Sequence, residues 1–277
     1  MTLTMPMPIL HDVASFIVRM IKAKNFTVFH QLSARKVQER LRQVSEGEKS
    51  FEEKQEKRKA DILDHYLASR DKYPEMMTEE QIITHCMVNV VAGVNTSTHS
   101  TLNVLKYLVA NPAAQDRLHQ ELLGAGVEDP PQWQQAQSLP FLEGLVREGV
   151  RLRGGDGFNP NGRVVSDQGL TLPGDIHLPP RTIVGVKPSV ASVQERTFGA
   201  RPYEFDPHRW LRQEGQTEEA FAERRARMDR GDMSFSAGTR GCIGRSIAMM
   251  QVYKLLASLI LKYEVSCHRW RLSCDGS

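Results

Sequence analysis

The sequence predicts a mainly α-helical protein with a minor β part, and three observations carry that prediction. Near the end of the chain, Ile243, Ile247, Val252, Leu255, Leu256, Leu259, Ile260 and Tyr263 recur at helical spacing. Earlier, a stretch that opens on a capping signal at Thr78 and Gln81 runs to a stop at Asn111-Pro112 with Gly93 as its only glycine. Between Gly154 and Pro207, by contrast, glycine and proline punctuate runs too short for helices, RVV, LTL and TIVGV.

The elements follow in order. Residues 11 to 70 read as helices, first HDVASFIVRMI, then a charge-dense stretch from Arg35 to Lys59 broken by Gly47, then the amphipathic ADILDHYLASR. A charge run of this kind is a solvated helical face and suggests no chemistry. The segment from Thr78 to Asn111 is one helix of roughly 45–50 Å. It has no Lys, Arg, Asp or Glu between Gln81 and Leu105, yet Thr, Asn, Ser and His are too dense in it for a bilayer, so a buried central helix is expected. Further helices cover Ala113–Leu123 and Leu139–Leu152, a small sheet follows, and the chain returns to helix at its end.

Composition narrows the classes. With 277 residues, 40% hydrophobic and 25% charged, the chain can bury a core that suits one large domain or two ordinary ones. A net charge of +3 with interspersed signs argues against nucleic acid. Cys86, Cys242, Cys267 and Cys274 form no CxxC pair, so neither a disulfide framework nor a zinc ribbon is expected, and a reducing compartment is the default. The start, MTLTMPMPIL, carries no signal-peptide pattern, and nothing in the chain reads as a membrane anchor.

The chemistry concentrates in Phe235-Ser-Ala-Gly-Thr-Arg-Gly-Cys-Ile-Gly244. A thiol just before a helix start lies in the field of unpaired backbone N–H groups, and Arg240 and Arg245 add positive charge nearby. Both favour the thiolate, which is a nucleophile or a metal ligand. Glycines at 238, 241 and 244 let the backbone turn tightly and let a flat, bulky partner approach. The plain alternative is a small buried cysteine in a glycine-rich turn.

Phe235, Gly238, Arg240, Cys242 and Gly244 together match FxxGxRxCxG, and the segment resembles the haem-binding signature of the cytochrome P-450 family. Cysteine-thiolate ligation of haem is that family's known chemistry. The resemblance implies haem b with Cys242 as axial iron ligand, Arg240 on a haem propionate, and Phe235 shielding the sulfur.

Three other stretches share the resemblance. Ala92-Gly93-Val94-Asn95-Thr96-Ser97 resembles the oxygen-binding stretch AGx(D/E)T(T/S), with Asn95 where the family carries an acid that serves proton supply. A mid-helix glycine costs about 1 kcal/mol against alanine, and room for a haem face would justify it. Thr96 can hydrogen-bond back to the Ala92 carbonyl and so leave its hydroxyl for a ligand. Glu148 and Arg151 fit the ExxR pair, and Arg209 in Pro202-Tyr-Glu-Phe-Asp-Pro-His-Arg-Trp210 resembles the arginine that completes a buried network under the ligand loop. Glu39 and Arg42 share the ExxR spacing but read as a solvated surface pair. Arg163 sits where the family supplies a further propionate contact, and a surface turn arginine is the competing reading. Cys267-His268 with Cys274 lacks a fourth metal ligand, and Cys86 reads as a small apolar residue.

The resemblance implies a single partial domain over residues 1–277, the C-terminal core of the cytochrome P-450 fold shortened at both ends. Residues 1–77 would be helices above the pocket, 78–111 the long oxygen-binding helix, 139–153 the ExxR helix, 154–232 a small antiparallel sheet and meander, and 233–265 the haem-ligand loop with its following helix. KYPEMMTEEQ and RPYEFDPHRWL look most similar to fungal members related to pisatin demethylase. That implies a monooxygenase acting on a lipophilic small molecule in secondary metabolism, with electrons from NADPH through a cytochrome reductase. Arg240, Arg245 and Lys254 would belong to the docking face for that reductase, or the last two to a solvated surface. The resemblance further implies that full-length relatives are anchored in the endoplasmic-reticulum membrane, and it leaves the localisation of this chain open. The alternative is a haem-binding remnant without activity.

Overall fold

The computed structural model describes residues 8–46, 60–152 and 162–266, with the side chains of residues 8–26 and of Arg240 outside that description. Helices α1 (Pro8–Ser45), α2 (Ile62–Lys72), α3 (Glu79–Ala110), α4 (Pro112–Gly124), a single turn α5 (Trp133–Ala136) and α6 (Pro140–Arg151) precede the β part. Strands β1 (Arg163–Val164), β2 (Leu170–Leu172), β3 (Ile176–Leu178) and β4 (Ile183–Val184) follow. Then come the turns α7 (Pro188–Ala191) and α8 (Glu195–Phe198), a 3₁₀ turn over Pro207–Trp210, α9 (Glu218–Gly231), a second 3₁₀ turn over Gly238–Arg240, and α10 (Arg245–Lys262). The class is mainly α with a small antiparallel β part. By contacts the chain divides into two compact units, residues 1–95 and 96–277, and the division falls inside α3.

In the first unit, Val37 of α1, Leu67 of α2 and Ile82 and Ile83 of α3 form a core, with Leu63, Tyr66, Met77 and Cys86 packed against it. Cys86 is partly buried there, and burial, with a contribution from Asp61, pushes its thiol above the usual value. The capping box at α3 is present, since Thr78 N–H donates to Gln81 Oε1 at 2.8 Å and Gln81 N–H to Thr78 Oγ1 at 3.3 Å. A second box starts α2, between Asp61 and Asp64, and Arg40 closes it from outside with 2.8 Å to Asp61 Oδ2 and 2.5 Å to Asp64 Oδ1.

That arrangement corrects the reading of the charge run as a solvated face alone. Val37 is fully buried and Arg40 is a structural cation, because one stripe of α1 faces α2. Glu39 pairs with Lys36 at 2.9 Å, and Arg42 lies 3.7 Å from Glu46, so the ExxR spacing of Glu39 and Arg42 is coincidental. The remainder of the run, from Gly47 to Lys59, lies outside the described residues, as do Cys267, His268 and Cys274.

In the second unit, one core joins Val104 and Leu108 of α3, Leu118 and Leu122 of α4, Phe141, Leu142, Leu145, Val146 and Val150 of α6, and Val252, Leu256, Ala257 and Ile260 of α10. Each fully buried aliphatic side chain contributes about 1.5–3 kcal/mol. Trp133 meets Tyr253 edge-on at 5.4 Å. Helix α6 begins at Pro140, and its free N–H groups at Phe141 and Leu142 donate to the Glu121 carboxylate of α4 at 2.8 and 2.9 Å. The β part consists of two antiparallel ladders, β1 with β4 and β2 with β3, and not a single sheet. In TIVGV only Ile183 and Val184 pair, and β3, over Ile-His-Leu, is an addition made by the turn at Pro173-Gly174-Asp175. Among the described residues no helix is long and apolar enough to cross a membrane.

Candidate haem-thiolate site

The cysteine loop is built by backbone hydrogen bonds in the second unit. Cys242 N–H donates to Phe235 O at 2.8 Å, Gly241 N–H to Gly238 O at 3.0 Å, and Arg245 N–H to Cys242 O at 3.3 Å. Gly238 has φ +68°, a conformation that a side chain resists. Ser236 takes φ +59°, which stores about 1–3 kcal/mol that the loop must offset. The result is an exposed, unpaired thiol one turn before α10, beside Ile243, which is 101% exposed. A fully exposed isoleucine next to a presented sulfur is a surface suited to a flat apolar ligand.

Phe235 is partly buried against the main core, and the Arg245 guanidinium carbon lies 5.5 Å from the centre of its ring. The same ring lines a cavity of about 10 Å³ with Thr96, Ser97, Ser100, Val150, Ala248, Met249 and Val252. That volume admits about one water. Ser100 Oγ donates to Thr96 O at 3.1 Å, Thr101 Oγ1 to Ser97 O at 3.0 Å, and Ser97 Oγ to Gln251 Oε1 at 3.2 Å. Back-bonding to the i−4 carbonyl, of the kind expected at Thr96, is made by Ser100 and Thr101 beside the cavity. Ala92 and Asn95 are exposed on α3, and among the described residues a Cβ at Gly93 would meet nothing within 4 Å.

A buried charge network lies elsewhere in the second unit. Glu148, Arg151 and Arg209 are 0%, 1% and 6% exposed. Glu148 Oε2 accepts from Arg151 Nε at 2.8 Å and from Trp210 Nε1 at 2.9 Å. Its Oε1 accepts from Arg151 Nη2 at 2.5 Å, Arg209 Nε at 3.3 Å and Asp206 N–H at 3.1 Å. Arg151 also donates to the carbonyls of Ser192 (2.5 Å) and Pro202 (2.7 Å), and Arg209 to those of Phe198 and, at 3.1 Å, Arg201. Two glycines allow this packing. A Cβ at Gly144 would lie 2.6 Å from Pro207 O, and one at Gly149 would lie 2.4 Å from Val104 Cγ2.

The structure therefore brings Glu148, Arg151 and Arg209 together, and Thr96 and Phe235 around one small cavity. Arg163 is exposed on β1, Gly244 caps α10, and the Arg240 side chain lies outside the described residues. Trp210 as a donor to Glu148 was not read from the sequence, although an indole beside Arg209 was its signal. A larger cavity of about 510 Å³, lined by Trp133, Glu143, Arg245, Ile247, Tyr253 and others, excludes Cys242 and Thr96, and its size is no guide to the chemistry. Among the described residues no cluster of three His, Cys, Asp or Glu could hold a metal ion. The donor set, one presented thiol with an apolar, glycine-cleared approach, fits a haem iron that brings its own four nitrogens.

The cytochrome P-450 family profile matches residues 3–271, so the chain belongs to the cytochrome P-450 family. It is 38% identical over 222 residues to the cytochrome P-450 monooxygenase cfoH of Aspergillus candidus, covering 78% of this chain and 40% of that protein. Against pisatin demethylase of Fusarium vanettenii it is 29% identical over 191 residues, covering 68% and 35%. A zebrafish cytochrome P-450 solved with progesterone shares the fold, with a TM-score of 0.65 at 23% identity, over 87% of this chain and 51% of that one. The chain spans about two fifths of the length of the curated relatives it matches.

Proposed function

We propose that this chain is the haem-thiolate part of a fungal monooxygenase that inserts one atom of dioxygen into a lipophilic small molecule of secondary metabolism, with electrons from NADPH through a cytochrome reductase. The observation that carries this reading is the Cys242 loop, whose sulfur is exposed, unpaired and fixed at the head of α10 by the Cys242 N–H to Phe235 O bond. When bound, haem supplies a redox-active iron to which a cysteine thiolate donates electron density that favours O–O cleavage.

The chain's own residues would act around it. Cys242 supplies the sulfur, while Arg240 and Arg163 supply cations for the propionates. Thr96, Ser97 and Ser100 line a cavity that admits one water, and a water there would link their hydroxyls into a short relay able to pass a proton. Glu148, Arg151 and Arg209 hold the floor of the site and take no part in the chemistry. A second reading, a haem-binding chain without oxygen chemistry, is favoured by Asn95, whose amide orients water but releases no proton at neutral pH.

The test is the reduced carbon-monoxide difference spectrum of the 277-residue chain loaded with haem. A band at about 450 nm is expected, and Cys242→Ala is expected to abolish it. Persistence of the band in that variant would remove Cys242 as the ligand. Turnover of lipophilic substrates with NADPH and a reductase then separates the readings: a thiolate band without turnover in wild type, restored by Asn95→Asp, selects the second.

A further inference from the structure

Helix α9 immediately precedes the cysteine loop in sequence, and its polar side chains reach residues of the Glu148 network. Arg225 donates from Nη2 to Glu143 of α6 and from Nη1 to Trp210 O at 3.3 Å, and its Nε lies 3.9 Å from Asp229 Oδ2. Arg147 of α6 reaches back, with Nη1 at 2.5 Å from Asp229 Oδ1 and Nε at 2.9 Å from Glu143 Oε1. Two cations thus alternate with two anions. Both guanidinium groups lie over the Trp210 ring, Arg147 at 5.1 Å and Arg225 at 5.8 Å from its centre. That is the ring whose N–H donates to Glu148. The neighbouring Arg224 donates to the carbonyls of Arg209 and, at 2.7 Å, Leu211.

The far end of α9 is fixed as well. Met228 is buried with Phe198 and Trp210, and Gly231 lies so close to Thr197 that a Cβ there would fall 2.3 Å from its Cγ2. From that anchored end the chain turns through Ser234 N–H to Asp232 Oδ1 (2.9 Å), and a turn closed by Ser236 N–H to Met233 O (2.9 Å) holds Phe235, whose carbonyl accepts from the Cys242 amide. Only Asp232, Met233 and Ser234 separate the end of α9 from Phe235, the residue that fixes the thiol.

We infer that Arg225 is a positioning residue for the thiol: it clamps α9 to Trp210 and Glu143, and through the end of α9 it fixes the loop that presents Cys242. The inference rests on Cys242 being the haem ligand for its functional meaning, but not for its test. Exchange of the Cys242 amide for deuterium is measured on the haem-free chain, with a peptide from α4 (Pro112–Gly124) in the same unit as internal reference. For Arg225→Ala the Cys242 amide is expected to exchange about tenfold faster, with the reference unchanged. Arg225→Lys, which keeps the charge on Glu143, and the milder Asp229→Asn are expected to fall between. In the haem-loaded chain Arg225→Ala is further expected to shift the carbon-monoxide band in part from about 450 to about 420 nm.

Unchanged exchange at Cys242 in both Arg225→Ala and Asp229→Asn overturns the inference. So does faster exchange of the reference peptide by the same factor, which marks general destabilisation. A wild-type chain without the 450 nm band removes the haem reading instead, and the exchange comparison still decides the role of Arg225.

Discussion

Replacing Glu148 by glutamine keeps the volume of the side chain and removes its charge, so the cost can be worked from its five donors. The amide can offer one oxygen. If nitrogen takes the Oε2 position, Arg151 Nε and Trp210 Nε1 face a donor; if it takes the Oε1 position, Arg151 Nη2, Arg209 Nε and the Asp206 N–H do. At least two buried donors lose their acceptor in either orientation, at about 1–3 kcal/mol each. Two guanidinium groups, 1% and 6% exposed, also lose their counter-charge. The expected loss is about 3–5 kcal/mol, the range for breaking a buried ion pair on one side.

Against a total stability of about 5–15 kcal/mol this is a large part of the whole. The assay is urea unfolding followed by far-UV circular dichroism, with Glu39→Gln as control, since Glu39 is surface-exposed and pairs with the exposed Lys36. The control is expected to leave the midpoint where it is. A Glu148→Gln loss under about 1 kcal/mol, the value of an exposed pair, would refute the buried-network argument.

The remaining predictions concern packing and pH. Gly149→Ala is expected to cost about 1–3 kcal/mol, because its Cβ would press on Val104 Cγ2 and lie 3.2 Å from Ser100 O. Gly93→Ala, with open space at its Cβ, is expected to stabilise the haem-free helix by up to about 1 kcal/mol; equal effects of the two substitutions in urea would contradict this geometry. In the first unit, burial alone would raise the Asp61 carboxyl, but Arg40 and the N–H groups of Asp64 and Leu63 outweigh it and hold the carboxyl below its ordinary value. The folded value lies below the unfolded one, so its stabilisation is present above the unfolded value and is lost as pH falls toward the folded one. The melting temperature is therefore expected to drop on acidification below about pH 4, less steeply in Asp61→Asn, and identical slopes would discount the pair.

The sequence was legible where a local signal coincided with a packing demand. The capping box at Thr78 and the stop at Asn111-Pro112 bound α3 because both act within one turn of the chain, and apolar spacing marked α10 because that helix buries one side. Helix α9 escaped notice for the opposite reason. Glu218, Glu219, Glu223, Arg224, Arg225, Arg227, Asp229 and Arg230 leave it almost no apolar stripe, and it is held by charged contacts with residues far away in sequence, such as Glu143 and Arg147. Its Thr217 cap, which accepts from Ala220 N–H at 3.2 Å, was the one local clue. Glu121 as the cap of α6 was equally hidden, because its partners stand about twenty residues downstream at Phe141 and Leu142.

What ties the site together is the periodicity of α6. Glu143, Arg147 and Arg151 recur every four residues, with Gly144 and Glu148 offset by one, so the helix turns charged groups and a glycine toward Pro207–Trp210 and α9. Its other side carries Gly149 against Val104 of α3, and Asn103 Nδ2 donates to Gly149 O at 3.3 Å. One twelve-residue helix thus fixes the Glu148 network and the segment of α3 that lines the small cavity with Phe235. With the stabilising contacts on one side being charges and on the other a side chain pressed on backbone, neither side can adjust without cost to the other. Val150, between Gly149 and Arg151, lines the small cavity directly, so a shift of α6 by even a few tenths of an ångström would reach Thr96, Ser97 and Ser100 across that cavity and Glu148 together.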